Sequence, residues 1–123
     1  MRTVWVAIAG AVGAAARYQL DGFISRARPS AFPWGTFGVN VLGSFALGFV
    51  FAITTERFMT NPTMRIAATV GFLGAFTTFS TFSLETMRLA EDGALGLAAL
   101  NVLAGVGAGI AAVYAGTWMG RAL

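Results

Sequence analysis

The sequence predicts an all-α integral membrane bundle, and three observations lead there. Of 123 residues, 57% are hydrophobic and only 11% are charged, whereas a water-soluble domain carries about a quarter of its residues charged to cover its surface. Apolar residues run from one end to the other with no polar half able to fold separately, so residues 1–123 read as a single domain. Finally, stretches of span length with little or no charge occur four times.

A hydrocarbon core about 30 Å thick takes about 20 helical residues. The first candidate span, residues 4–25, is broken only by Arg17 and Asp21, and the second, residues 34–55, carries no charge. The third, residues 66–90, is charged only at Glu85 and Arg88, and the fourth, residues 94–120, has no charge. Residues 26–33, with Pro29 and Pro33, form the first expected loop; residues 56–65, containing Asn61-Pro62, form the second; Glu91-Asp92-Gly93 closes the third. Three tight loops between four spans put both termini on one side. Trp5, Trp34 and Trp118 fall near span ends, where amphipathic rings anchor. Arg2, the apolar run after it and Ala14-Ala15-Ala16 have the outline of a cleaved secretory signal. That run is rich in Gly and Ala rather than Leu, however, and residues 17–23 would make a poor mature terminus, so a span is expected.

Cysteine and histidine are absent, which removes disulfides, thiolate nucleophiles, imidazole bases and the commonest transition-metal ligands. Enzyme chemistry is therefore not expected. The eight basic residues are all arginine, scattered singly or in pairs, so the net charge of +3 does not describe a nucleic-acid-binding stripe.

The positions of those arginines carry more information than their number. Arg2, Arg57, Arg65 and Arg121 lie on the terminal side; Arg26, Arg28 and Arg88 lie on the other, and Arg17 snorkels toward that second side, giving four against four. A chain without positive-inside bias inserts both ways, and two oppositely inserted copies can pair about an axis in the membrane plane. An antiparallel dual-topology dimer is the favoured reading; the alternative is one dominant arginine that fixes a single orientation. Small residues recur at helix-packing spacing in Gly10/Ala14, Ser44/Gly48, Gly105/Gly109 and Gly116/Gly120, as expected where close backbone approach holds helices together in lipid.

The sharpest local anomaly is Gly74-Ala75-Phe76-Thr77-Thr78-Phe79-Ser80-Thr81-Phe82-Ser83, in the middle of the third span. Threonine and serine compete for backbone hydrogen bonds and glycine is a poor helix former, so this is a candidate helix break at membrane depth. Freed carbonyls in hydrocarbon cost several kcal/mol each unless they face a cavity, another chain or an ion. The other reading is an intact helix whose hydroxyls bond to the preceding turn while its phenylalanines face lipid. If a cavity exists, Phe79 and Phe82 share a helical face and can turn their positive ring edges inward, which favours an anion. Thr78, Ser80 and Thr81 would add hydroxyl donors without the trap that a buried cation sets.

Asn40 and Asn101 are the lone amides of the second and fourth spans, suited either to bundle glue or to ion contact. Arg17 either pairs with Asp21 one turn away or draws anions into a vestibule; Glu85 either pairs with Arg88 or repels anions. No carboxylate lies at the centre of any span, which argues against a proton-coupled exporter. Such a small dual-topology multidrug transporter is the runner-up, but it needs a central glutamate in the first helix, where this chain has only Asp21 near the end.

Three stretches together resemble the CrcB/Fluc fluoride channels: Gly10-Ala11-Val12-Gly13-Ala14-Ala15-Ala16-Arg17-Tyr18, Gly35-Thr36 through Val39-Asn40, and above all Gly71-Phe72-Leu73-Gly74-Ala75-Phe76-Thr77-Thr78-Phe79-Ser80-Thr81-Phe82. The resemblance covers essentially the whole chain. It implies a fluoride channel in the cell inner (plasma) membrane, built as an antiparallel homodimer with a third helix broken mid-membrane and pores lined by both subunits. It further implies that Phe79 and Phe82 form an aromatic box, that Asn40 contacts the ion, and that Ser80 and Thr81 extend a polar track. It also implies that a structural sodium ion is held by the backbone carbonyls of Gly74 and Thr77, with Arg17 and Glu85 toward the vestibules. The chain departs from the family in the fourth span, where many relatives carry a tyrosine and serines in the track. Here the matching stretch holds Asn101 and Gly105.

Overall fold

Long runs of Ala, Gly, Val, Leu and Phe without internal proline give helix nearly everywhere, and a computed structural model describes residues 1–57 and 61–123, apart from the side chains of residues 56 and 57. Helix α1 spans Arg2–Ala27. Helix α2 spans Trp34–Ala52 and continues as a π-helical turn over Ile53–Arg57. The third span is assembled from pieces: α3 (Pro62–Ile66), a π-helical stretch (Ala67–Leu73), α4 (Gly74–Phe76) and α5 (Phe79–Glu91). Helix α6 spans Leu95–Ala122. Among the described residues there is no strand.

The element ends follow local chemistry. Asn61 caps α3 by accepting from the Thr63 amide at 2.9 Å, with Pro62 at the first helical position. Part of the loop expected over residues 56–65 falls on residues 58–60, which lie outside the described residues. Helix α5 ends in a Schellman motif. The Ala94 amide reaches the Leu89 carbonyl at 2.8 Å, the Gly93 amide reaches that of Ala90 at 3.1 Å, and Gly93 takes a φ of 81°, which suits a residue without Cβ. Between α1 and α2 the chain turns over an aromatic knot. Phe32 is buried, its ring lies 4.7 Å from that of Trp34 and 5.8 Å from that of Phe37, and the Arg28 guanidinium lies 4.2 Å from the Trp34 ring centroid.

Packing relies on missing side chains. Helices α2 and α6 approach so closely that a Cβ on Gly48 would collide with the Val113 carbonyl, and one on Gly116 with that of Phe45. The sequence expectation of close contact at Ser44/Gly48 and Gly116/Gly120 is met along this seam. Helix α1 lies against the π-helical stretch and α4, where a Cβ on Gly13 would strike the Phe72 carbonyl.

Few side chains are buried within one chain. Val39 and Ala52 are fully enclosed, whereas Val4, Ile8, Leu103, Val106, Ile110 and Trp118 stand on the outside. An apolar exterior of that extent requires lipid or protein against it. Trp34–Thr55, Pro62–Glu91 and Leu95–Ala122 are long and apolar enough to cross a membrane. Helix α1 is helical through the whole of its expected span and, at 26 residues, about 39 Å long. Arg17, Gln19, Asp21 and Arg26 leave it less apolar than the other three.

Candidate functional site

The third span is interrupted at Thr77 and Thr78, which adopt extended backbone (φ −90°, ψ 159° and φ −148°, ψ 123°) between α4 and α5. The intact-helix alternative is thereby set aside. The residues themselves account for the break. Thr77 turns both its amide and its Oγ1 onto the Leu73 carbonyl, each at 3.1 Å, and Thr78 becomes the N-cap of α5, its Oγ1 accepting from the Thr81 amide at 3.2 Å. Hydroxyls that compete with the main chain favour this end-and-restart over a continuous rod.

Asn40 makes the break tolerable. Its Nδ2 donates to the Thr78 carbonyl at 3.0 Å, and its Oδ1 accepts from the Thr78 amide at 2.8 Å. The side-chain amide thus replaces a backbone partner for both polar groups of one extended residue, leaving a single N–H of Asn40 for anything else. Helix α2 reaches the break because Gly43 allows it: a Cβ there would collide with Thr77 Cγ2. On the opposite side Arg17 Nε donates to the Ala75 carbonyl at 3.2 Å, placing positive charge at the carbonyl end of α4. Asp21 instead accepts from Ser25 Oγ at 3.2 Å, so Arg17 serves the break.

The broken ladder frees four carbonyls, those of residues 74–77, of which Ala75's takes Arg17 Nε and two matter for the expected cation. In a continuous helix Gly74 would receive the Thr78 amide and Thr77 that of Thr81. Those donors are committed to Asn40 Oδ1 and Thr78 Oγ1. The Gly74 and Thr77 carbonyls therefore have lone pairs available for a hard cation, the oxygen-only donor set that such an ion takes. Among the described residues no group of three or more acidic, histidine or cysteine side chains gathers to hold a metal.

Beside the break lies a groove of about 340 Å³ lined by Asn40, Thr77, Thr78, Phe79, Phe82, Asn101 and Gly105 with apolar residues of α6. Among the described residues, no charged side chain lines it. The Phe79 and Phe82 ring centroids are 5.8 Å apart with planes inclined by 39°. The groove is open on one side, and Phe79 is 78% exposed. The edge of an aromatic ring, the N-terminal end of a helix and an amide N–H are each weakly electropositive, so residues of these types can meet an anion without a fixed charge to trap it.

Of the residues singled out from sequence, Asn40, Phe79, Phe82 and Thr77 come together here, with Thr78, Asn101 and Gly105. Ser80 and Thr81 are not in the groove lining; Ser80 Oγ lies 3.5 Å from Thr78 Oγ1. Glu85 faces a second cavity, of about 400 Å³, with Arg28, Trp34 and Arg88. Its Oε1, like Thr36 Oγ1, is buried without a hydrogen-bond partner. Asn101 is 2% exposed and donates to Thr86 Oγ1 at 2.9 Å, joining α6 to α5 as glue. Phe37, which also lines the groove, escaped the sequence reading, and Ser44 entered it only as half of a packing pair. Their spacing with Asn40 at i, i+3 and i+7 was the available signal.

The sequence matches the family described as CrcB-like protein, Camphor Resistance (CrcB), over residues 4–117. It is 48% identical over 121 residues, 98% of each chain, to the fluoride-specific ion channel FluC of Magnetococcus marinus. It is 45% identical over 120 residues to the protein of the same name from Citrifermentans bemidjiense, covering 98% of this chain and 97% of that one. Similarity to the Geobacter sulfurreducens FluC is 47% over 115 residues, covering 94% and 90%.

Proposed function

The chain belongs to the CrcB family, and from that premise we propose that it is a fluoride-selective channel that lets the ion leave the cytoplasm passively, down its gradient. Fluoride enters cells as its weak acid and dissociates there, so a selective pore is enough to lower its concentration. The observation that carries the reading is the groove beside the broken helix. It is lined by Phe79, Phe82 and the amide side chains of Asn40 and Asn101, holds no charged side chain among the described residues, and is open on one side with Phe79 78% exposed.

An open half-pore calls for a second wall, and a second copy supplies it. The balanced arginines favour an antiparallel pair, in which all four helices of each copy span the inner membrane and each pore takes residues from both copies. Phe79 and Phe82 form its aromatic lining, while Asn40 offers its remaining N–H to the passing ion. In this arrangement the Gly74 and Thr77 carbonyls of the two copies face each other and hold a sodium ion at the dimer centre. A bound cation there offsets the partial charges of the two interrupted helices.

The test is ion release from liposomes reconstituted with the purified protein. Fluoride efflux without chloride efflux is expected. Equal release of both ions, or none of either, overturns the reading. Crosslinking between copies inserted in opposite senses tests the antiparallel arrangement separately.

A further inference from the structure

Helix α6 has no side chain at residue 105, and the neighbouring element uses the space. A Cβ on Gly105 would lie 2.8 Å from Phe82 Cε2, 3.5 Å from its Cδ2 and 3.6 Å from its Cζ. All three nearest atoms belong to one aromatic ring, unlike Gly48 and Gly116, whose nearest neighbours are backbone carbonyls of the facing helix. The Gly105/Gly109 spacing looks like a helix-packing pair in the sequence. In the fold it is a notch that receives a ring on one turn, and on the next Gly109 has only Ser44 Oγ at 3.7 Å.

Phe82 is also held from its backbone. Its carbonyl accepts from Thr86 Oγ1 at 2.8 Å, and that hydroxyl in turn accepts from Asn101 Nδ2 at 2.9 Å. Asn101 and Gly105 are one helical turn apart and therefore share a face of α6. One face thus steadies the carbonyl of Phe82 and leaves room for its ring. With the main chain anchored, a methyl group in the notch is relieved most cheaply by rotation of the ring about its side-chain torsions. The ring lines the groove beside Phe79, so that rotation changes the lining.

We infer that Gly105 is a positioning residue for Phe82: the missing side chain at 105 sets the angle at which the ring meets the pathway. The effect on conduction rests on the channel reading above; the effect on the ring does not. This gives the fourth helix a part in the pathway through Phe82 rather than through contact with the ion.

The experiment compares Gly105→Ala with Gly107→Ala, because a Cβ at 107 meets nothing within 4 Å. Two readouts are taken on the intact dimer, each in the wild-type and the Phe82→Ile backgrounds. The first is fluoride efflux from liposomes. Gly105→Ala is expected to slow it several-fold and Gly107→Ala to leave it unchanged, while Gly105→Ala adds little once Phe82 is isoleucine. The second is the fluorine NMR spectrum of protein carrying 4-fluorophenylalanine, in which the resonance lost in Phe82→Ile identifies the ring. That resonance is expected to move in Gly105→Ala and to stay in Gly107→Ala. An unmoved resonance in Gly105→Ala overturns the inference, as does an equal loss of efflux in both backgrounds. A moved resonance in a protein that releases no fluoride upholds the ring positioning and strikes the channel reading alone.

Discussion

Replacing Asn40 tests whether its amide supports the broken helix or only fills space. Two hydrogen bonds tie it to Thr78, one to each polar group of that residue's backbone. Removing the amide leaves a main-chain N–H and C=O without partners, at about 1–3 kcal/mol each when buried. Both residues are half-buried and the groove admits water, so the lower half of that range applies, about 2–4 kcal/mol for the pair. Asn40→Ala also opens a cavity, whereas Asn40→Leu keeps nearly the same volume without any polar atom. Asn40→Leu is therefore expected to lose about that much stability and Asn40→Ala somewhat more, measured as the melting midpoint in detergent, and both to lose fluoride efflux in liposomes. If Asn40→Leu is as stable as wild type while Asn40→Ala is not, packing rather than hydrogen bonding holds the break, and the brace is refuted.

Phe79→Ile and Phe82→Ile are each expected to cut fluoride efflux while the protein still elutes at the wild-type volume; unchanged efflux would remove those rings from the pathway. Arg17→Ala takes away the guanidinium that bonds the Ala75 carbonyl and should cost about 1–2 kcal/mol, the lower part of the range for a charged hydrogen bond because the contact is only part-buried; a melting midpoint equal to wild type would count against it. Gly116→Leu drives a side chain into the Phe45 carbonyl and is expected to reduce folded protein by more than the 1–3 kcal/mol typical of overpacking, since backbone cannot move aside as a side chain can. Normal yield and melting of that variant would show that α2 and α6 do not approach as described.

The membrane class, the extents of the helical segments and the place of the break were all legible in the sequence, because each depends on local composition. Runs of span length with little or no charge mark the three helices long and apolar enough to cross a membrane, and hydroxyls next to glycine mark the weak point in the third span. Arg17 illustrates what was not legible. One turn from Asp21, it has an obvious local partner, yet its side chain goes to Ala75, 58 residues away, because the packing of α1 against α4 delivers that carbonyl to it while Asp21 bonds Ser25. Ser80 and Thr81 show the same limit: their hydroxyls signal the break correctly but fall outside the groove that the break creates.

Sequence alone therefore determined that the chain lives in lipid and where its third helix is weakest, since both follow from what each residue does with its own neighbours; whether the helix breaks there it left open. Only the tertiary structure decided how the break is supported. Asn40, Arg17 and Gly105 lie in three different helices, and their tasks come from main-chain groups and a ring that folding brings against them. A freed carbonyl has no sequence signature for its partner; it takes whichever donor the packing delivers.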